Sequence, residues 1–258
     1  MDDRELEPML TFDSLWCPAP ASLTLSSDEV HIWRASLGLT SSQVQKLEQT
    51  LTIDEIGRAA RYYFPNDRRR FIISRGLLRS ILSFYLNTEP DQLRFRYGTN
   101  GKPLLAAATG RDILSFNLSH SGELVLYAVT RSRRVGIDLE RVRPDIEYEQ
   151  IAVRFFSPHE IAVLQGLPTH VRPEAFFTCW TCKEAYIKAK GEGLSLPLNW
   201  FEVSVAPDEP VMIFHIRGDP QEASQWSLQQ LNPGPGYVAC LVVEGHNYRL
   251  KCWQYPEL

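Results

Sequence analysis

The spacing of apolar residues predicts one long helix among strands and short helices in the first half of the chain. Phe71, Leu78, Leu82 and Tyr85 follow one another at intervals of seven, four and three residues, which places them on one helix face. We therefore expect a helix that begins at Pro65 and ends at Tyr85. The predicted strands cover 31–35, 114–117 and 123–130, and the shorter helices cover 41–49 and 52–63.

The second half of the chain carries similar patterns. Alternating apolar and polar residues predict a strand from Arg134 to Glu140. A helix begins after Ser157, because Glu160 completes a capping box and Pro158 occupies the first helical position. The longest helix of this half begins at Pro173. The remaining predicted elements are a helix around 147–156 and strands at 200–205, 211–216, 226–230, 237–243 and 248–254.

The two halves repeat one order of elements. In each half a long helix precedes a turn that runs from Gly to Pro-Leu, at 101–104 and 193–198, and strands follow the turn. This repeat predicts two similar α/β halves with a cleft between them. We place the boundary near Arg131, so that residues 1–131 and 132–258 form the two domains.

Composition predicts a cytoplasmic protein without a general affinity for nucleic acid or membranes. The 258 residues are 44% hydrophobic, and the formal net charge is −4. No apolar run approaches the roughly 20 residues of a membrane-spanning helix, and the acidic start does not resemble a secretory signal. Any polyanion would therefore be bound by a local group of residues.

The five cysteines are an odd number scattered along the chain, which is typical of reduced thiols. Cys179 and Cys182 form a C-x-x-C pair, a spacing that also occurs in redox and zinc sites. No second pair completes a zinc site, and a position inside a helix does not activate a thiol. We interpret the pair as structural.

Two acidic residues lie two positions apart on the predicted strand. The carboxylates of Asp138 and Glu140 point to the same face. They form either a solvated strand edge or, if buried, a pair that requires a cation. On the long second helix, Trp180, Glu184 and Lys188 share one stripe at intervals of four residues. Taken alone, Glu184 and Lys188 could also be a surface ion pair.

The turn from Asn117 to Gly122 presents hydroxyl groups, an imidazole and backbone N–H groups. A turn of this kind can bind phosphate, although a single histidine in a turn is often inert. Each of these features has a structural alternative, so their order along the chain carries more information than any one of them.

Taken in order, these motifs resemble those of the Sfp-type 4′-phosphopantetheinyl transferases. The G-I-D-x-E motif at 136–140 and the W-x-x-K-E-A-x-x-K motif at 180–188 are the most specific elements. The resemblance includes N-L-S-H-S-G at 117–122, F-F-S-P-H-E at 155–160 and G-L-S-L-P-L at 193–198, and it covers about residues 55 to 200.

The resemblance implies an α+β fold that is a pseudo-dimer. Each half would be a small, mainly antiparallel sheet packed with a long helix, and coenzyme A would lie in the cleft between them. It implies a magnesium site formed by Asp138, Glu140 and Glu184. Mg²⁺ prefers oxygen ligands and is commonly shared between carboxylates and substrate phosphates, so this assignment is chemically reasonable.

The implied reaction is attack by a serine hydroxyl of an apo acyl or peptidyl carrier protein on the β-phosphate of coenzyme A. The leaving group is 3′,5′-adenosine bisphosphate. Lys188 would stabilise the developing charge, and Glu184, directly or through a metal-bound water, or Glu160 would accept the serine proton. The sequence does not distinguish these bases.

The resemblance also assigns contacts with coenzyme A. The expected cofactor-binding residues are Arg58, Arg61, Arg70, Lys102, Ser119, His120, Lys183 and Lys188. One departure concerns the basic segment of the first half. Glu55 and Arg58 stand there where the family more often has paired basic residues.

The carrier protein is expected to dock on residues 142–156, where Arg141, Arg143 and Arg154 would meet its acidic surface. Members with two fused halves usually act as monomers. The alternatives are a non-catalytic module that binds coenzyme A and carrier proteins, and a different magnesium-dependent phosphotransferase.

Overall fold

The computed structural model describes residues 16–20, 22–98, 101–106, 114–191, 193, 196–207, 209–219 and 221–256. In these residues the chain forms six α-helices, α1 Ser41–Glu48, α2 Ile53–Ala59, α3 Pro65–Leu86, α4 Tyr148–Phe155, α5 Pro158–Gly166 and α6 Arg172–Lys190. The strands are β1 Cys17–Pro18, β2 Glu29–Ser36, β3 Phe95–Tyr97, β4 Pro103–Leu105, β5 Leu114–Ser121, β6 Leu124–Arg131, β7 Val135–Arg141, β8 Phe201–Val203, β9 Ile213–Ile216, β10 Trp226–Leu231, β11 Tyr237–Glu244 and β12 Arg249–Gln254.

The first half is a sheet packed against α3. Its strand order is β1-β12-β2-β6-β5, and β6 pairs antiparallel with both β2 and β5. The apolar stripe of α3 lies on this sheet, where Leu78 and Ile81 join Trp33 and Tyr127 in one core. Pro65 begins the helix, and Asn87, in the left-handed region with φ 48°, ends it.

The second half has the same plan. Strands β10, β11 and β7 form an antiparallel sheet, and α6 packs on it through Phe176, Ala185 and Tyr186. A proline again lies in the first turn of the helix, and Gly191, with φ 75°, ends it. The prediction of an α+β fold with two similar halves is confirmed.

The two sheets share an apolar core between them. Ile32 and Leu126 of the first sheet pack with Ile137, Leu139 and Leu241 of the second. The last strand, β12, crosses back and pairs parallel with β2, so a strand from the second predicted domain lies in the sheet of the first. The predicted domain boundary between residues 131 and 132 does not account for this strand. In other respects the two-domain division stays a prediction.

Some local predictions need correction. The helix expected over 52–63 ends at Ala59, and Phe64 is extended with ψ 131°. The residue before a proline avoids helical backbone, so the chain straightens before α3 begins. All five cysteines lie in described residues, and none forms a disulfide. In the part of the chain that the structure describes, no helix is long and apolar enough to span a membrane.

The C-x-x-C pair is buried inside α6. Burial raises the pKa of the Cys179 thiol well above its ordinary value. A hydrogen bond with Cys240, together with burial, raises the pKa of the Cys182 thiol in the same way. Thiols held in the protonated form are poor nucleophiles and poor metal ligands, which supports the structural interpretation of the pair.

Candidate active site in the cleft between the halves

The helix α6 approaches β7 very closely at Gly136. A Cβ at this position would lie 2.0 Å from the carbonyl oxygen of Ala185 and 2.5 Å from the backbone nitrogen of Ala189. The missing side chain therefore allows the helix and the strand to touch. This contact brings Lys188 of α6 to Asp138 of β7.

Asp138 is 4% exposed and lies at the centre of the site. Its Oδ1 accepts hydrogen bonds from the Nζ of Lys188 at 2.5 Å and from the Oγ of Ser119 at 2.8 Å. Its Oδ2 is also buried and has no hydrogen-bond partner among the residues that the structure describes. A buried carboxylate oxygen without a partner is costly unless a ligand satisfies it.

Two glutamates complete the acidic group. Burial raises the pKa of Glu140 and of Glu184, and the nearby charge of Asp138 raises the pKa of both. The Oε2 of Glu140 accepts a hydrogen bond from the Oγ of Ser121 at 2.7 Å. The three carboxylates predicted from the sequence therefore influence one another electrostatically.

The three carboxylates are the right kind of ligand for a divalent cation, but their side chains are not arranged around a common ion position. Among the described residues, no three His, Cys, Asp or Glu side chains form a group that could hold a metal ion as they stand. The unpartnered Oδ2 of Asp138 and the repulsion among three carboxylates are nevertheless the conditions that a cation relieves. Oxygen donors of this kind suit Mg²⁺.

A cleft runs from the acidic group into the first half. A cavity of about 240 Å³ is lined by Glu184 and Lys188 of α6, by Asn117 and Leu118 of β5, and by Lys102. A second cavity of about 290 Å³ continues from it, and the two share Gly101, Pro103 and Leu118. The charged and polar residues that line the second cavity include Arg58, Asp67, Arg70, Ser74, Arg75 and His120.

Comparison with known proteins gives the family. Residues 134–242 match the 4′-phosphopantetheinyl transferase superfamily, and residues 33–132 match the 4′-phosphopantetheinyl transferase N-terminal model. The 4′-phosphopantetheinyl transferase HetI of Nostoc sp. is 46% identical over 240 residues, 93% of this chain and 98% of HetI. The chain belongs to the 4′-phosphopantetheinyl transferase family.

Other relatives place this transferase within the family. The 4′-phosphopantetheinyl transferase Sfp of Bacillus subtilis is 31% identical over 199 residues, covering 77% of this chain and 84% of Sfp. Among solved structures, holo-[acyl-carrier-protein] synthase of Thermotoga maritima is 22% identical, with a TM-score of 0.36, over 45% of this chain and 63% of that chain. The predicted resemblance to Sfp-type transferases is confirmed by the sequence relatives.

The segment predicted to be a phosphate-binding turn, residues 117–122, is instead mostly strand, because β5 continues to Ser121, and this segment borders both cavities of the transferase. Ser119 is buried, and its hydroxyl also accepts a hydrogen bond from the Nζ of Lys188 at 3.0 Å. Desolvation, and then the charges of Lys188 and Arg70, lower the pKa of His120. His120 lines the second cavity, so the structure brings its imidazole to the arginines of α2 and α3.

The basic residues of the first half have different positions. Arg58 and Arg70 line the second cavity, whereas Arg61 is exposed and is not among the described residues that line either cavity. Arg75 also lines the second cavity, although the sequence analysis did not select it. Arg75 is 6% exposed, its guanidinium lies 5.0 Å from the ring centre of Phe95, and its buried Nη1 has no hydrogen-bond partner among the described residues.

Glu55 explains the departure from the family pattern. Its carboxylate is buried and lies 2.7 Å from the Nη2 of Arg79 and 3.6 Å from the Nε of Arg75. The acid therefore holds two arginines of α3 rather than facing a ligand. Two arginines four residues apart on the apolar side of a helix were the sequence signal for this arrangement.

Lys102 spans the two halves of the transferase. Its ammonium donates hydrogen bonds to the carbonyl oxygens of Lys188 at 2.5 Å and of Val135 at 3.2 Å. Burial and the charges of Lys188 and Arg134 lower the pKa of Lys102 to about 8. The side chain lines the first cavity, but its charged end is directed to the carbonyl groups of the second half.

Glu160 and Lys183 lie outside the cleft. Both side chains are 0% exposed, and the Nζ of Lys183 is 2.8 Å from the Oε1 of Glu160. Glu160 also accepts hydrogen bonds from the backbone N–H groups of Ser157 and Val203. The structure thus does not bring this predicted base or this predicted cofactor contact to Asp138. Their contacts are structural.

Proposed function

We propose that this protein transfers the 4′-phosphopantetheine arm of coenzyme A to a serine of an apo carrier protein. The observation that carries the proposal is the meeting of Asp138, Glu184 and Lys188 at one end of a cleft lined by both halves. The family match supplies the reaction class.

In the proposed reaction the serine oxygen forms a bond to the β-phosphorus of coenzyme A. The bond between that phosphorus and the oxygen bridging to the α-phosphorus breaks, and 3′,5′-adenosine bisphosphate leaves with the electron pair. The serine proton passes to Glu184, whose pKa is raised by burial and by the charge of Asp138, which makes its carboxylate a stronger base. The ammonium of Lys188 neutralises charge on the phosphate oxygens.

We propose Mg²⁺ as the cofactor, held by Asp138, Glu140 and Glu184. Bound there, it would neutralise negative charge on the diphosphate. The residues of this chain support it in two ways. Asp138 offers an unpartnered buried oxygen, and Ser121 orients the Glu140 carboxylate.

The second cavity is the proposed site of the 3′-phosphate of coenzyme A. It is lined by Arg58, Arg70, Arg75 and His120, and Asp67 is the one acidic residue among its described lining. Arg75 is a candidate contact because its Nη1 has no hydrogen-bond partner in the described residues and Glu55 lies beside its Nε. Arg61 and Lys102 remain weaker candidates, because the first is exposed and the second is hydrogen-bonded to carbonyl groups.

The carrier protein is proposed to dock on residues 142–156. Arg141, Arg143 and Arg154 are exposed in and beside this segment, and Val153 of α4 is 64% exposed. An exposed apolar side chain on a segment that also carries exposed arginines would fit an acidic partner with an apolar contact point. We also propose that the protein acts as a cytoplasmic monomer, since residues from both halves of one chain line the cleft.

The test is a transfer assay with intact-mass detection. The protein is incubated with coenzyme A, Mg²⁺ and an apo carrier protein, and parallel reactions contain EDTA. We expect the carrier protein to gain the mass of one phosphopantetheine group, with no gain in EDTA. Binding of coenzyme A without any mass gain would instead support a non-catalytic module.

A further inference from the structure

Strands β5 and β7 face each other across the cleft through side chains. They belong to different sheets, and three alternate residues of β5, Asn117, Ser119 and Ser121, form hydrogen bonds with β7. The Oδ1 of Asn117 accepts a hydrogen bond from the backbone N–H of Ile137 at 2.9 Å. The hydroxyl of Ser119 donates to Asp138, and the hydroxyl of Ser121 donates to Glu140. A single face of β5 therefore orders both acids of β7.

Ser121 is held in a defined orientation. Its Oγ accepts a hydrogen bond from the backbone N–H of Arg141 at 3.1 Å while its hydrogen is donated to the Oε2 of Glu140 at 2.7 Å. No other described residue hydrogen-bonds to the Glu140 carboxylate. This hydroxyl is thus the contact that fixes the direction of that carboxylate.

The second half also fixes the turn that follows Ser121. Gly122 has φ 56°, and a Cβ there would lie 2.5 Å from the hydroxyl of Tyr237 on β11. The same hydroxyl accepts a hydrogen bond from the backbone N–H of Glu123 at 3.1 Å. Ser121 is therefore placed by contacts on both sides of the cleft, which preserves its distance from Glu140.

We propose that Ser121 is a positioning residue that holds the Glu140 carboxylate ready for a divalent cation. The inference rests on the proposed function and its magnesium site. Groups that hydrogen-bond to metal ligands commonly change metal affinity by about 10- to 100-fold when they are removed. Ser121 has a role separate from Ser119, because its hydroxyl contacts Glu140 and the backbone rather than Asp138 and Lys188.

The experiment compares wild-type protein with Ser121→Ala, Ser121→Thr and a control, Ser227→Ala. Ser227 is also on a strand and donates a hydrogen bond to the carbonyl of Gly245 at 2.6 Å, outside the cleft. Two quantities are measured. The first is the Mg²⁺ concentration that gives half-maximal transfer to an apo carrier protein, and the second is Mn²⁺ binding by electron paramagnetic resonance without coenzyme A.

We expect Ser121→Ala to weaken both Mg²⁺ activation and Mn²⁺ binding by about 10-fold or more. Ser121→Thr keeps the hydroxyl, and we expect it to restore both quantities to within about threefold of the wild type. Ser227→Ala should match the wild type. Unchanged metal binding in Ser121→Ala, or equal loss in Ser121→Thr, would overturn the proposal.

If Ser121→Ala does not fold, Ser121→Cys takes its place, because a thiol of similar size is a weak donor and should also weaken metal binding. If the wild type binds Mn²⁺ but transfers nothing, the proposed function fails. The resonance measurement then still decides the role of Ser121.

Discussion

The Nζ of Lys188 lies 2.5 Å from the Oδ1 of Asp138, and this ion pair joins α6 to β7. The lysine side chain is 27% exposed, whereas the aspartate side chain is 6% exposed. One end of the pair is therefore anchored in the protein and the other borders the cleft. The arrangement places a cation beside the acidic group, while in the described part of the chain the Oδ2 of Asp138 has no hydrogen-bond partner.

Replacing Lys188 by methionine removes this cation with little change in volume. We expect kcat for phosphopantetheinyl transfer to fall about 100- to 1,000-fold, the usual effect of losing a charge that stabilises a transition state. Lys46→Met on α1 is the matched control, because Lys46 is exposed and lies outside the cleft. The control should keep a kcat within threefold of the wild type. A Lys188→Met variant with a kcat in the same range would contradict this role of Lys188.

Glu184 and Glu160 are the two bases considered from the sequence. Substitution by glutamine should lower kcat at Glu184 and should lower stability at Glu160. Glu184→Gln should lower kcat about 100-fold or more, because it removes the proton acceptor, and should leave the unfolding free energy nearly unchanged. Glu160→Gln should cost about 3 kcal/mol of stability, because Lys183 is left buried without its counter-charge. The measurements are transfer kinetics and urea unfolding.

Glu174→Gln serves as the control for both variants, since Glu174 is exposed in the first turn of α6. The folded fraction of Glu160→Gln should retain most of its activity. If that fraction is inactive while Glu184→Gln remains active, the proton acceptor is Glu160.

Local spacing was sufficient to predict which residues meet at the centre of this candidate site. The two-residue period of a strand places Asp138 and Glu140 on one face, and the helical period places Glu184 and Lys188 on another. The structure adds how they meet, which depends on the absence of a side chain at Gly136. The residues involved are close together in sequence or meet at one close contact, so a sequence motif is enough to predict them.

Partners that are distant in sequence were not predicted. Glu160 matched a motif position, but its partner Lys183 lies on another helix, and no spacing rule links them. The ammonium of Lys102 reaches two carbonyl groups of the second half instead of a free phosphate site. The parallel pairing of β12 with β2 likewise joins the two ends of the chain, beyond the reach of periodicity.

Gly136 should tolerate no side chain. A Cβ would lie 2.0 Å from the carbonyl oxygen of Ala185, so α6 must move away from β7 in Gly136→Ala. We expect a loss of about 3 kcal/mol in unfolding free energy, because overpacking against backbone has no easy relief. Activity should fall as well, since Lys188 moves away from Asp138.

Gly57→Ala is the matched control for that substitution, because a Cβ at Gly57 meets no atom within 4 Å and Gly57 lies in α2. Alanine should raise stability there by up to about 1 kcal/mol through helix propensity. Urea unfolding and transfer rates measure both variants. Equal stability of Gly136→Ala and the wild type would show that the helix does not depend on this contact.

His31 lies on β2 beside β12. We expect its titration to make the unfolding free energy of the protein depend on pH. Its ring is 1% exposed, and its Nδ1 lies 2.8 Å from the hydroxyl of Tyr85. Its Nε2 faces Glu29 at 3.5 Å, Trp253 packs edge-on at 5.7 Å, and Lys251 lies nearby. Burial lowers the pKa of His31 to about 4, against the favourable charge of Glu29.

The folded protein disfavours the protonated ring of His31. The contribution of His31 to the unfolding free energy is therefore complete above the unfolded pKa of about 6.5, and it is lost as the pH falls toward 4. The loss is worth about 3 kcal/mol. Glu29 acts at lower pH. The hydrogen bond from Lys251 lowers the pKa of Glu29 to about 2, so its contribution is lost from about 4.5 downward.

The window between pH 6.5 and 4.5 therefore isolates His31 from Glu29. Urea unfolding at pH 7, 5.5 and 4.5 should give a smaller loss of free energy in His31→Asn than in the wild type, because asparagine does not titrate. His159→Asn, at an exposed position of α5, should keep the wild-type slope. Identical slopes for wild type and His31→Asn would mean that His31 is not the group that titrates in this interval.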